Sequence, residues 1–179
     1  VIAADIEDST SYVPHLAKDQ TVFHLAALRG HLGSSPEESR RVNEIASLKL
    51  ALACVEARIA QFIYLSSALV LGPSHGSPLS EANGVRDPEV ANLSVQTRVQ
   101  ALREMNKLVE AGLPLVILCP TIVFGPDDPA NPNRVTSQIR KLLKFRIDLV
   151  IGEGNQKRNL AFVEDVIQGI LQAERLGRA

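Results

Sequence analysis

Tryptophan is absent from this 179-residue chain, methionine occurs once, and aromatic residues make up only 4% of it. Any core must therefore be filled by aliphatic side chains. These are plentiful: hydrophobic residues reach 45% against 22% charged, an ordinary globular composition. Cysteine is scarce as well. Cys54 lies in the apolar run LALACVEA and Cys119 closes LVILC, far apart and outside metal-ligand spacing. Both read as small buried hydrophobes of a reducing, cytoplasmic compartment. The four histidines, His15, His24, His31 and His75, form no HxxH or HExxH set, so no metal site is expected. No apolar run approaches the ~20 residues that span a bilayer, and no signal-peptide pattern is visible. A net charge of -1 gives no reason to expect nucleic acid or an anionic membrane as partner. The densest basic cluster, Arg140, Lys141, Lys144 and Arg146, is interleaved with Leu142 and Leu143 and reads as a solvated helix face.

The length suits one domain able to bury a real core. Short β-like runs alternate with helical patterns: VIAADI (1–6), TVFHLAA (21–27), QFIYLSS (61–67), PLVILCP (114–120) and DLVIG (148–152) read as strands. A helix is expected from Pro36, where Glu37 and Glu38 suit a first turn and Val42, Ile45, Leu48, Leu52 and Val55 recur at helical spacing. Further helices are expected over about 89–111, stopped by Gly112, over 133–145, and after AFVEDV. Residues 72–90 and the stretch TIVFGPDDPANPN read as loops. Such alternation predicts a doubly wound, mostly parallel α/β sheet with helices on both faces. The opening VIAADI reads as a strand already under way and ERLGRA ends just past a helix, so the chain reads as a fragment.

Ligands of such sheets sit beyond the carboxyl ends of the strands. Those ends offer Asp5-Ile6, then Ala26 and Ala27, whose small side chains admit a close approach, then Ser66-Ser67, then Cys119-Pro120. In that order the chain resembles the extended short-chain dehydrogenase/reductases, the NAD-dependent epimerase/dehydratase group, nearly throughout. Asp5-Ile6-Glu7-Asp8 is similar to the family's D-aliphatic-x-D, and VFHLAA (22–27) to its V-hydrophobic-H-x-A-A. RVNEIAS (41–47) is similar to x-V-N-x-x-G-T, and FIYLSSALVLG (62–72) to F-V-Y-x-S-S-x-x-V-Y-G. GLPLVILCPTIVFGP (112–126) resembles GL-x-x-V-I-x-R-P-x-x-V-Y-G-P with Cys119 for Arg, and RNLAFVEDV (158–166) resembles R-x-x-x-x-V-x-D-V. The GLP-to-VFGP stretch looks most like the dihydroflavonol-reductase-like or 3-beta-hydroxysteroid-dehydrogenase-like branches.

The resemblance implies NAD or NADP as cofactor and a small-molecule substrate changed at a hydroxyl or ketone. It implies cofactor contacts at Asp5, Ile6, Leu25, Ala26, Ala27, Ser66, Arg98, Pro120 and Val123, and a substrate contact at Arg158. It also implies a partial Rossmann-like domain over 1–126, a substrate-side segment starting at 127–179, and a homodimer through the helices about 37–57 and 89–111. Against these stand structural readings: His24 as packing, Asp165 as a helix-cap carboxylate, and Asn43 as either a structural hydrogen bond or a site residue. Two departures matter. The family's Y-x-x-x-K falls at Ser94 and Arg98, with Ser67 at its third catalytic position, and no YxxxK occurs anywhere, since Leu16 and Ala68 follow Tyr12 and Tyr64 at the fourth place. The resemblance also puts the first βαβ unit, with its glycine-rich GxxGxxG turn, ahead of residue 1. An alkyl hydroxyl is far less acidic than a tyrosine starting near pKa ~10. Arg98 keeps the charge but never gives up a proton. An active oxidoreductase, a non-catalytic binding fold and a truncated relic all stay open.

Overall fold

The computed structural model describes residues 1–28, 35–73, 76–85, 93–126, 134–146, 153, 155 and 157–177. Two compact units emerge: Val1–Cys119 with Gln172–Ala179, and Pro120–Leu171.

In the first unit, three strands form a parallel sheet in the order β1 (Thr21–His24), β2 (Gln61–Leu65), β3 (Leu115–Leu118). His24 pairs with Tyr64 and Leu65 with Leu118, so all three carboxyl ends emerge along one edge. Side chains alternate across a strand. Phe62 and Tyr64, with Val22, Leu115 and Ile117, face the core built with Val95, Val99, Leu102 and Met105 of α4 (Leu93–Glu110). Against the opposite face lies the last turn of α6 (Val163–Leu176), whose Ala173 carbonyl accepts from Gln61 Nε2 at 2.9 Å. This is the doubly wound, Rossmann-like arrangement expected from the alternation.

Helix starts and stops follow local chemistry. A short α1 (Ser9–Tyr12) is capped by Asp8, and α2 (Pro36–Arg40) by a reciprocal box of Ser35 and Glu38. Helix α4 ends at Gly112, whose φ of +97° suits only glycine. Between α2 and α3 (Ser47–Ala57) the helix widens into a π turn, Arg41–Ala46, and helix phase shifts across it. The buried side of 39–54 is therefore small and polar: Ser39, Asn43, Ala46, Ser47, Ala51 and Cys54. Ile45 and Leu52, members of the periodic apolar set, lie exposed.

Two strand expectations change. VIAADI (1–6) is not a strand: Val1 and Ile2 are exposed, and Asp5 turns the chain by accepting from the Glu7 N–H at 2.9 Å. A parallel strand exists only through a neighbour's hydrogen bonds, and no described strand pairs with it. Conversely, the expected loop after Pro120 opens with β4 (Ile122–Phe124), paired in parallel with β5 (Leu160–Phe162) in the second unit. Helix α5 (Arg134–Phe145) stands as expected. DLVIG and residues 89–92 fall outside the described residues.

Candidate functional site

The carboxyl edge of the first unit gathers most of the singled-out residues. Leu25, Ala26 and Ala27 leave β1 exposed. The next residue is held: Asn43 Oδ1 accepts from the Leu28 N–H at 2.7 Å, and its Nδ2 donates to the Leu28 carbonyl at 3.1 Å and to Thr97 Oγ1 at 3.4 Å. Asn43 is fully buried. Of its two readings, the structural hydrogen bond is the one seen, and it ties the exit of β1 to α4. The π turn is what aims it there.

Ser66 and Ser67 leave β2. Ser66 is anchored by its N–H to the Leu118 carbonyl at 2.8 Å, while its hydroxyl is buried with no well-directed partner, beside the Cys119 thiol. Burial pushes that thiol's pKa up, and hydrogen bonding from Ser66 and Ser67 partly opposes the rise. Ser67 caps a 3₁₀ turn (Ala68–Leu71), its Oγ accepting from the Leu69 N–H at 3.3 Å. Its own proton remains available to a ligand.

One helical turn separates Ser94 from Arg98, so the two side chains meet. Arg98 Nη1 donates to the Ser94 carbonyl at 2.9 Å and to Ser94 Oγ. Neither tyrosine supplies the missing relay. Burial raises Tyr64 to about 12, against the opposing pull of Arg98. Tyr12 is also raised, by burial and by Cys54 and Asp8. A proton relay needs the opposite shift. Asp5 and Ile6 lie in the turn before Glu7, which accepts from Arg41 Nε of the π turn at 2.8 Å. That pair is largely exposed and contributes little.

His24 is packed, as its structural reading held. It sits beside Phe62 and Tyr64, ring centres 6.0 and 5.2 Å away. Ser47 Oγ donates to the Val42 carbonyl at 3.1 Å and so accepts from His24 Nε2 at 2.8 Å. Burial lowers the His24 pKa to about 4 from 6.5. The unfolded chain then binds the extra proton between those values. Stability is full above pH ~6.5 and falls as the pH drops towards ~4, by about 3 kcal/mol in total. The urea midpoint should drop across that window in the wild type, and His24→Gln should flatten the slope. An unchanged slope in the variant would assign the acid sensitivity elsewhere.

Pro120, Val123 and Arg158 belong to the second unit. Pro120 and Val123 are half-buried and Arg158 is exposed. There a cavity of about 290 Å³ is lined by Phe124, Gly125, Thr136, Ile139 and Phe162. Asp165 falls in the first turn of α6, where a carboxylate meets the helix dipole. Sequence reasoning passed over Leu28, whose role comes from backbone groups alone. The contribution of Ser47 was equally hidden, though a hydroxyl in mid-helix was a usable signal.

A parallel α/β sheet presenting small residues and hydroxyls at its carboxyl edge defines a nucleotide-binding class of domain. Comparison with known proteins narrows this. The profile of the "NAD dependent epimerase/dehydratase family" matches residues 1–178, and the chain belongs to that family. It is 25% identical to the 3beta-hydroxysteroid-dehydrogenase/decarboxylase isoform 1 of Arabidopsis thaliana over 97% of its length, covering 39% of that protein. With the UDP-glucose 4-epimerase of Vibrio cholerae it shares 27% identity over 93% of its length and 51% of the relative's. The solved structure of MoeE5 in complex with UDP-glucose and NAD superposes with a TM-score of 0.82 at 28% identity, over 98% of this chain and 58% of that one. The chain thus spans about half the length of the proteins it matches.

Proposed function

We propose that this chain is an NAD(P)-dependent oxidoreductase- or epimerase-like protein acting on a hydroxyl or ketone of a small molecule, with a degraded Tyr/Lys pair. The observation that carries the reading is the common edge: exposed Leu25, Ala26 and Ala27 beside Ser66 and Ser67, with the β1 exit locked to α4 through Asn43. Small side chains there let a dinucleotide lie against the backbone, and the Ser67 hydroxyl, which only accepts from the Leu69 N–H, can donate to it. Asp5, Ile6, Leu25, Ala26, Ala27, Ser66, Arg98, Pro120 and Val123 are the proposed cofactor contacts. Ser67, Ser94 and Arg98 hold the catalytic positions, and Arg158 reaches for substrate. Bound NAD or NADP would supply the hydride chemistry. Ser67 can donate its proton to a substrate oxygen, and Arg98 holds positive charge at the ribose position while engaging Ser94.

The same Ser94–Arg98 contact favours a second reading, a non-catalytic binding fold. Here the guanidinium already carries a partner and Ser94 is no acid. A homodimer through the helices about 37–57 and 89–111 is proposed on the exposure of Ile45, Leu52 and Val109.

NADH and NADPH fluorescence titrations test the site. Ala26→Phe, at an exposed position, should weaken binding at least ~10-fold while shifting stability by no more than about 0.5 kcal/mol. Binding with no turnover over a panel of sugar nucleotides, flavanonols and sterols selects the non-catalytic reading. Absence of any dinucleotide binding removes both.

A further inference from the structure

Helix α5 in the second unit is amphipathic along its length, and among the described residues it is buried only at its start. Val135 and Thr136 are buried, whereas Leu142 is 45%, Phe145 59% and Leu143 77% exposed. At 100° per residue, Val135, Ile139, Leu142 and Leu143 share one arc of about 100°. The apolar stripe therefore continues beyond the body that covers its first turn. Lys141 and Lys144 lie on the opposite arc, and Phe145 lies on its margin with Lys144 Nζ 5.2 Å from the ring centre. Residues 135–146 hold Arg140, Lys141, Lys144 and Arg146 and no Asp or Glu at all. The net charge of -1 conceals this local excess.

We propose that α5 is a peripheral docking helix for an anionic lipid surface. Charge complementarity selects the partner: the cationic arc meets anionic headgroups while Leu142 and Leu143 enter the headgroup–acyl boundary. A merely solvated basic helix has no use for leucines as exposed as Leu142 and Leu143 on the arc opposite its lysines. Nucleic acid would satisfy the charge but offers no apolar region for Leu143. The inference is independent of any activity at the strand edge.

Co-sedimentation of the 179-residue chain with vesicles tests it. Binding is expected to phosphatidylcholine vesicles containing phosphatidylserine, and at least ~10-fold less to phosphatidylcholine alone or at high salt. Lys141→Glu with Lys144→Glu should abolish binding. Leu142→Glu with Leu143→Glu should weaken it at least ~10-fold at unchanged helical circular dichroism, since both side chains start exposed. Lys49→Glu, on exposed α3 surface, should leave it intact. No binding to the anionic vesicles overturns the proposal. So does binding that survives both double variants, retention of a nucleic acid through the lysines alone, or a self-associated chain that Leu143→Glu disperses.

Discussion

Ser94→Tyr combined with Arg98→Lys is expected to raise turnover by ~10²–10⁴-fold in the protein carrying this chain, the rate a positioned acid–base group usually contributes. That gain corresponds to about 3–5 kcal/mol of transition-state stabilisation. The geometry for it is in place. Positions 94 and 98 are one helical turn apart, both half-buried, and their side chains already touch. A tyrosine at 94 starts near pKa ~10, and an ammonium at 98 would lower it towards the working range. The existing tyrosines cannot compete, because burial moves both the wrong way. Ser94→Tyr alone should recover part of the gain, since Arg98 already sets a cation beside position 94, whereas lysine without tyrosine has nothing to activate. Nicotinamide absorbance measures the outcome. A double variant no faster than an already active wild type would show that the reaction runs without a relay at these positions.

Asn43→Leu should cost about 3–4 kcal/mol, the second largest effect. The amide serves both backbone groups of Leu28, at 2.7 and 3.1 Å, and is only 1% exposed. Leucine has similar volume but leaves an N–H and a carbonyl without partners, at about 1–3 kcal/mol each. For a chain of this size that lowers the Tm by about 10 °C. Asn43→Asp keeps the bond from the Leu28 N–H but sets a carboxylate against the Leu28 carbonyl, so it should fall between the two. Dinucleotide binding should weaken in parallel, because the lock fixes the segment just after Ala26 and Ala27. A Leu variant within about 1 kcal/mol of wild type in urea would show the lock to be redundant.

Much of this was legible along the chain. The helix start at Pro36 with Glu37 and Glu38 in its first turn, the stop at Gly112 and the placing of Ser94 and Arg98 one turn apart rest on local spacing, which tertiary structure did not overrule. The strand ends could be read in order because a parallel sheet converts chain order into positions along one edge. The misreadings share one cause. VIAADI has strand propensity without a paired neighbour, and Ile122–Phe124 has a partner 38 positions away in Leu160–Phe162. Propensity cannot register either fact.

The sequence by itself determined the family, the alternation of strands and helices, and the absence of any YxxxK spacing, since each is a matter of residue identity and spacing. Only the tertiary structure decided that Asn43 locks the β1 exit, that His24 is held neutral against Ser47, and that α5 leaves its last apolar turn open. Those depend on burial and on partners distant in the chain.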